Sequence, residues 1–355
     1  MKRYRVAVIP GDGIGMEVVP EGVRVIQALS ERYQFGVTFE EFPYSCKYYL
    51  EKGTMMPEDG IQRLAEHDAI LLGAVGDPSV PDHISLWGLL IPIRRQFKQY
   101  VNLRPVRLLK GIQSPLKNRA PGEIEFYIVR ENNEGEYSEI GGRLYRGTDM
   151  ETAIQEAVFT RRGVDRVMRH AFELAKSRPK KHLTSATKSN GIIHTMTFWD
   201  ERFAAIGKEY PEVRTDQYHI DILTAHLVQH PDWFDVIVAS NLFGDILSDL
   251  GPAVAGGIGL APSANINPER EFPSMFEPVH GSAPDIAGKG IANPIGILWS
   301  AVMMLEFLGE SEASQALMHS IERVVADGKA LTPDLGGSAR TREFTDALLD
   351  TLAKG

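Results

Sequence analysis

Arg5-Val6-Ala7-Val8-Ile9-Pro10-Gly11-Asp12-Gly13-Ile14-Gly15-Met16 is a short apolar run that breaks into a glycine-rich turn. A run apolar on both faces reads as a strand covered by helices on two sides. The turn invites comparison with the dinucleotide-binding fingerprint, which needs glycines at offsets 0, 2 and 5. Counted from Gly11, offset 5 is Met16, so the standard Rossmann fingerprint fails. Such a strand-to-helix turn still lets a ligand approach the backbone and offers it helix N-terminal N–H groups. A plain tight turn accounts for the residues equally well.

The same alternation continues along the chain. Short apolar runs at 69–75, 125–129, 182–186, 219–223 and 235–239 are predicted strands, and helices are predicted over 17–34, 89–100, 164–176 and 195–209. In the third helix Val164, Val167, Met168, Ala171, Phe172 and Ala175 recur at i, i+3 and i+4, forming one buried stripe. Strands alternating with amphipathic helices predict an α/β, doubly wound fold. Gly- and Pro-bearing segments at 111–122, 134–147 and 262–273 read as loops.

The chain's 355 residues suggest two domains at about 150 residues each. Apolar residues make up 43% and charged residues 24%, which excludes the signature of disorder. A formal charge of -9 argues against nucleic acid or an anionic membrane as partner. Cys46 is the only cysteine, so no intrachain disulfide and no cysteine-built zinc site can form, and a reducing cytoplasm fits. Lys2, Arg3 and Arg5 precede too few apolar residues for a secretory leader, and no stretch reaches the roughly 18 apolar residues of a membrane span.

Several residues could carry chemistry. Asp245 and Asp249 lie four apart in a predicted short helix stopped by Gly251-Pro252, so they share a face. Two carboxylates there repel unless a divalent cation sits between them, and oxygen-only ligation suits Mg²⁺ or Mn²⁺. The alternative is one Asp answering the helix dipole and one solvated Asp. His226 and His230, also four apart, read as a solvated helix end. Arg94, Arg104 and Arg130 stand at helix or strand ends beside loops, where α/β proteins grip anions; each alone also suits a salt bridge. Lys188 and Tyr137 follow apolar strands and could act as base or acid if their surroundings shifted their pKa, or be a surface lysine and a packing tyrosine. The loop Phe276 to Gly288 is too rich in Gly, Pro and small residues for helix or strand, and a planar ring could lie against it.

Taken together these segments resemble the β-decarboxylating dehydrogenases, the family of isopropylmalate, isocitrate, D-malate and tartrate dehydrogenases. The motifs are Ile9 to Gly15, Asn102-Leu103-Arg104-Pro105, Val129-Arg130-Glu131-Asn132, Asn241 to Asp249 and the loop His280 to Pro294. The resemblance covers nearly the whole chain. It implies a two-domain, non-Rossmann doubly wound fold, with residues 1–99 and 251–355 as a large cofactor-binding domain and 100–250 as a small dimerisation and catalytic domain.

The resemblance further implies a homodimer with shared active sites between the domains. Asp245 and Asp249 would bind Mn²⁺ or Mg²⁺ with Asp221 from the partner subunit, and Lys188 would also cross over. Arg94, Arg104, Arg130 and Asn190 would hold the substrate, with Lys188 as base and Tyr137 as acid. NAD would lie on Asp12, Gly13 and Ile14, on Gly73, Ala74 and Val75, and on Glu277, His280, Gly281, Ser282, Ala283, Asp285, Ile286 and Asn293. K⁺ is a further candidate ion.

Three features narrow the implied substrate. Gly88 and Leu90 stand where isocitrate enzymes carry a serine and an asparagine for a third carboxylate. Pro81 to Gly88 and Ala186 to Gly191 resemble the tartrate and D-malate subgroup, while Pro92 and His194 depart from it. The expected activity is therefore NAD-dependent oxidation of D-malate, with decarboxylation to pyruvate, and of tartrate. The apolar Leu89-Leu90-Ile91 could receive an isopropyl group, which keeps 3-isopropylmalate as an alternative. A noncatalytic regulatory subunit is the alternative of another class, although Tyr137, Lys188, Asp221, Asp245 and Asp249 are all present.

Overall fold

A computed structural model describes residues 2–354. They form an α/β structure in which the chain divides into two compact units. Unit 1 comprises Met1–Gln99, Arg107–Gly122 and Pro252–Gly355, and unit 2 comprises Tyr100–Val106 and Glu123–Gly251. Relative to the cuts expected at 99/100 and 250/251, Arg107–Gly122 folds with unit 1. The reason is local: Arg107 pairs with Glu322, and Ser114 Oγ donates to the Val254 carbonyl at 2.6 Å.

In unit 1, β1 (Arg3–Gly11), β2 (Gly36–Glu41) and β3 (Ala69–Ala74) are parallel, with β1 in the middle. Counting strands along the chain, β4 (Val101–Arg107), β5 (Glu125–Glu131), β6 (Gly141–Leu144), β7 (Thr152–Gln155), β8 (His182–Thr187), β9 (Arg214–His219) and β10 (Val236–Ala239) follow. Then β11 (Pro262–Ile266) and β12 (Ser274–Pro278) complete the sheet of unit 1 in the order β2-β1-β3-β12-β11, with β11 and β12 antiparallel. Strand β3 is buried throughout, as its all-apolar sequence requires. Helices Gly15–Tyr33 and Ile295–Leu308 pack on this sheet, and the second is buried along most of its length.

Unit 2 holds the order β4-β5-β10-β8-β9, with β5, β10, β8 and β9 parallel. Helix Arg161–Ser177 buries the stripe read from the sequence, and Thr160 caps it by accepting from Gly163 N at 3.0 Å. Strands β6 and β7 form a separate antiparallel hairpin whose eight residues are all exposed.

Six elements differ from the sequence reading: of the segments read as loops, 134–147 contains β6 at Gly141–Leu144, and 276–278 belong to β12, paired with β11, so that only the part after Pro278 is loop. Residues 219–223 are not a strand: β9 ends at His219 and helix Ile220–Gln229 begins, burying Leu223 and Leu227 at helical spacing. The segment 262–273 is not all loop, because β11 occupies its first five residues. Its Ser263 and Asn265 are polar but buried, and Asn265 Nδ2 is satisfied by Glu277 at 2.7 Å. Helix Asn241–Ala255 runs past Gly251 with Pro252 inside it. The helix expected over 89–100 instead starts at Asp82 and ends at Gln96, with a π-helical stretch at Leu86–Leu90. Ile91 N donates to the carbonyl of Leu86, five residues back, directly before the N–H-less Pro92.

Candidate active site

In unit 2 the middle of β4, the end of β5 and the segment that follows it, and one face of helix Asn241–Ala255 bring five predicted site residues together. Arg104 is buried beside both carboxylates, 3.8 Å from Asp245 and 3.6 Å from Asp249, and its Nη1 donates to Ser248 Oγ. Arg130 Nη1 donates to Asp245 Oδ1. Tyr137 Oη donates to the other oxygen of Asp245 at 2.9 Å. Asp245 is thus shared between a guanidinium and a phenol, while the Asp249 side chain is 61% exposed.

The electrostatics follow from this packing. Partial burial raises the Tyr137 pKa, and the neighbouring Asp245 carboxylate raises it further, so the phenol keeps its proton through the neutral range. Partial loss of water on its inner side raises the Asp249 pKa as well, opposed by Arg104. Two carboxylates on one helical face supply part of the all-oxygen donor set that a hard divalent cation prefers. Among the described residues no three His, Cys, Asp or Glu side chains are grouped so as to hold a metal.

Lys188 and Asp221 form their own pair, with Lys188 Nζ donating to Asp221 Oδ1 at 2.8 Å. That bond holds Asp221 below the usual carboxylate range. Asp221 sits in the first turn of helix Ile220–Gln229, and Asn190 is exposed in the turn after Lys188.

In unit 1 the predicted cofactor segments meet through their backbones. Asp12 N donates to the Ala74 carbonyl at 2.7 Å and Ile14 N to the Ser282 carbonyl at 2.9 Å. The glycines permit this approach. Gly13 has φ +54° and a Cβ there would lie 2.0 Å from Ser282 O, while a Cβ on Gly73 would lie 2.4 Å from Pro10 O. The Asp12 carboxylate is occupied structurally, accepting from Cys46 N at 2.9 Å, Gly76 N at 3.1 Å and Lys47 N at 3.3 Å. Burial pushes the Cys46 thiol up to about 12, leaving it a packed thiol and not a nucleophile.

The loop after β12 leaves backbone surface open, since a Cβ on Gly281 or Gly288 would meet nothing within 4 Å. Asp285 is exposed, and Ile286, Ala283 and Val75 are half-buried. Burial lowers the pKa of His280, and Asn293 Nδ2 donates to Asp334 at 2.9 Å. Arg94 and Glu277 make a buried ion pair at 2.9 Å.

Sequence reasoning missed three residues that hold these groups. Glu17 accepts from Gly288 N and, at 2.7 Å, from Gly290 N, fastening the loop to the first helix. Glu136 accepts from Ser240 Oγ at 2.8 Å and Leu242 N at 3.1 Å, which ties the residue before Tyr137 to the start of the Asp245 helix. Asn241 Oδ1 accepts from Arg130. Two signals were available: Glu17 as an acidic residue in the first turn of a helix, and Asn241 as the first residue of the motif Asn241 to Asp249.

The family described as isocitrate/isopropylmalate dehydrogenase matches residues 5–348. The chain is 60% identical to a D-malate dehydrogenase [decarboxylating] of Escherichia coli (strain K12), covering 98% of both chains. It is 56% identical to a tartrate dehydrogenase/decarboxylase of Pseudomonas putida, over 99% of this chain and 98% of that one. A crystal structure of isocitrate dehydrogenase from Methylococcus capsulatus superimposes with a TM-score of 0.88 at 32% identity, covering 98% of this chain and 99% of the other. With its α/β fold and its grouped arginines, tyrosine and paired aspartates, the chain belongs to the isocitrate/isopropylmalate dehydrogenase family.

Proposed function

We propose that the protein is an NAD-dependent dehydrogenase requiring Mn²⁺ or Mg²⁺ that oxidises D-malate, with decarboxylation to pyruvate, and also tartrate. The observation that carries this reading is the cluster of Arg104, Arg130, Tyr137, Asp245 and Asp249 in a chain whose relatives, at 60% and 56% identity, are named for those two substrates. When bound, the cation supplies Lewis acidity toward the substrate's hydroxyl and carboxylate oxygens, and NAD accepts the hydride. Asp245 and Asp249 hold the cation, and Lys188 takes the hydroxyl proton. Arg104 and Arg130 grip carboxylate charge, a role extended to Arg94 by family resemblance, and Asn190 is assigned to the substrate on the same ground. The β-keto acid loses carbon dioxide, and Tyr137, kept protonated by its surroundings, gives its proton to the resulting carbanionic carbon.

The substrate side group is argued from unit 1. A Cβ on Gly88 would lie 2.6 Å from Met55 Cγ, so a serine there has no room unless Met55 moves. Leu90 packs against the apolar cluster that contains Met55. Neither position offers a polar partner for a third carboxylate, which favours a dicarboxylate over isocitrate. The apolar Leu90 is also what supports 3-isopropylmalate as the second reading.

The active assembly is a homodimer in this proposal, with Lys188 and Asp221 serving the site of the other subunit. Eleven exposed large apolar side chains lie in unit 2, among them Ile140, Leu144, Met150 and Ile154 of the hairpin region and Ile222 and Val228 of helix Ile220–Gln229. Exposed apolar surface concentrated in one unit fits an interface with a second copy. No helix among the described residues is long and apolar enough to cross a membrane; a cytoplasmic location accords with the single, buried Cys46. A K⁺ requirement belongs to the same proposal as an ion to vary.

One panel tests this. D-malate, tartrate, 3-isopropylmalate and isocitrate are offered with NAD⁺ or NADP⁺, with Mn²⁺ or Mg²⁺, and with or without K⁺, following reduced cofactor and carbon dioxide. The expected result is the highest kcat/KM on D-malate with NAD⁺, and none after chelation. Faster turnover of 3-isopropylmalate selects the second reading, and no turnover of any substrate favours a regulatory subunit.

A further inference from the structure

Asn241 belongs to neither the arginine, the acid–base nor the carboxylate set, yet its side chain engages Arg130 at one end and the Glu134 carbonyl at the other. It is the first residue of helix Asn241–Ala255 and only 3% exposed. Its Oδ1 accepts from Arg130 Nε at 3.0 Å and from Arg130 Nη2 at 2.7 Å. Its Nδ2 donates to the Glu134 carbonyl at 3.0 Å, which fixes which end of the amide faces the arginine.

The surrounding backbone is shaped to bring these groups together. Gly135 has φ +85°, and a Cβ there would lie 3.3 Å from Asn241 Cβ; a Cβ on Gly244 would lie 2.5 Å from Arg130 Cβ. Arg130 is 2% exposed, and Asn241 and Asp245 are among the partners that orient its guanidinium. The chemistry of the clamp is specific. A neutral amide oxygen orients a guanidinium edge without cancelling its charge, whereas a carboxylate at the same place would form a buried ion pair and consume that charge.

We infer that Asn241 is a positioning residue for substrate recognition: it aligns the Arg130 guanidinium through a neutral oxygen, adding no second carboxylate to Asp245, which Arg130 already faces. The inference deepens the proposed function and rests on its assignment of Arg130 to the substrate. It sets two substitutions in opposition. Asn241→Asp keeps the size and the acceptor but adds charge, while Asn241→Ala removes the acceptor and adds none.

The test measures KM and kcat for D-malate, NAD⁺ affinity and thermal stability in the intact enzyme for Asn241→Asp, Asn241→Ala, Asn241→Ser and Arg130→Ala. Asn241→Asp is expected to raise KM for D-malate at least tenfold, more than either neutral variant, with Tm and NAD⁺ affinity near those of the unsubstituted enzyme. Asn241→Ser serves as the neutral comparison if Asn241→Ala folds poorly. The inference is overturned if Asn241→Asp leaves KM within twofold, or if the neutral variants raise it more than Asn241→Asp does. An unchanged KM in Arg130→Ala would instead remove the underlying assignment of Arg130. A tenfold rise there without one in Asn241→Asp removes only the clamp.

Discussion

Tyr137 and Asp245, 108 positions apart in the chain, are joined by a 2.9 Å hydrogen bond from the phenol to the carboxylate. The acid assigned to carbon protonation therefore rests on a group assigned to the metal, which couples the two functions. Because burial and Asp245 both hold the Tyr137 pKa above that of an ordinary phenol, the neutral form is present throughout the neutral range. Tyr137→Phe is expected to slow pyruvate formation about a hundredfold or more while sparing hydride transfer, and Lys188→Ala to abolish oxidation itself. Substrate deuterium effects combined with solvent-isotope incorporation separate the steps. Equal loss of hydride transfer in both variants would remove this division of labour.

Asp245→Asn keeps the shape but deletes the charge of a carboxylate whose two oxygens face Arg130 and Tyr137. Mn²⁺ binding is expected to weaken by more than tenfold, or over about 1.4 kcal/mol. Direct titration of Mn²⁺ against the purified variant checks this without reference to turnover, and an unchanged affinity sinks the metal assignment.

The glycine turn makes a different kind of prediction. Gly13→Ala puts a methyl 2.0 Å from a backbone oxygen at φ +54°, and Glu17→Ala frees the N–H groups of Gly288 and Gly290. The first should cost about 1–3 kcal/mol of stability and the second about 1 kcal/mol. Both should weaken NAD⁺ several-fold with little change in KM for D-malate. Calorimetry with NAD⁺ reads the effect directly, and an unaltered affinity in both variants would detach this loop from the cofactor.

What the sequence disclosed and what it hid divide along physical lines. The strands apolar on both faces, such as Ala69–Ala74, were legible because parallel strands buried under helices must be continuously apolar. Asp245 and Asp249 were legible because four-residue spacing fixes a common helical face. Strand β11 was hidden, since Ser263 and Asn265 look like loop residues until partners such as Glu277 satisfy them. The run 219–223 was too short for its period to distinguish strand from helix. The grip of Arg130 on Asp245 spans 115 positions, and no local pattern encodes it. Asp12 illustrates the opposite case: a residue in a conspicuous motif whose carboxylate is taken up by three backbone N–H groups.

Glu131, 2% exposed, caps the turn after Arg130 by accepting from Asn133 N at 3.0 Å and Glu134 N at 2.8 Å. Burial nonetheless outweighs these bonds and pushes its pKa up to about 7. A carboxyl raised in the folded state contributes stability that is fully present below its ordinary unfolded pKa and is lost as pH rises through about 7. Over that window the loss is on the order of 3 kcal/mol. Glu131→Gln cannot ionise, so its Tm should decline less than that of the unsubstituted enzyme between pH 5 and pH 8. Parallel Tm curves across that range would show that Glu131 does not titrate there.

The cofactor prediction turns on Asp285 and Ile286. The turn Ala283–Ala287 is held by Ile286 N and Ala287 N donating to the Ala283 carbonyl at 3.1 Å each. The exposed Asp285 carboxylate makes no hydrogen bond to that turn among the described residues, so capping does not occupy it. In the proposed cofactor site this position would face the adenosine ribose, where a carboxylate could accept from the 2′- and 3′-hydroxyls of NAD. The 2′-phosphate of NADP would meet it as like charge at close range. Repulsion added to a lost hydrogen bond should favour NAD by roughly a hundredfold in kcat/KM, or about 2.7 kcal/mol. Asp285→Lys combined with Ile286→Tyr exchanges the carboxylate for a cation and adds a phenol donor, and the preference should move toward NADP. Comparing kcat/KM for the two cofactors before and after substitution decides it: equal use of both by the unsubstituted enzyme would show that Asp285 does not read the ribose.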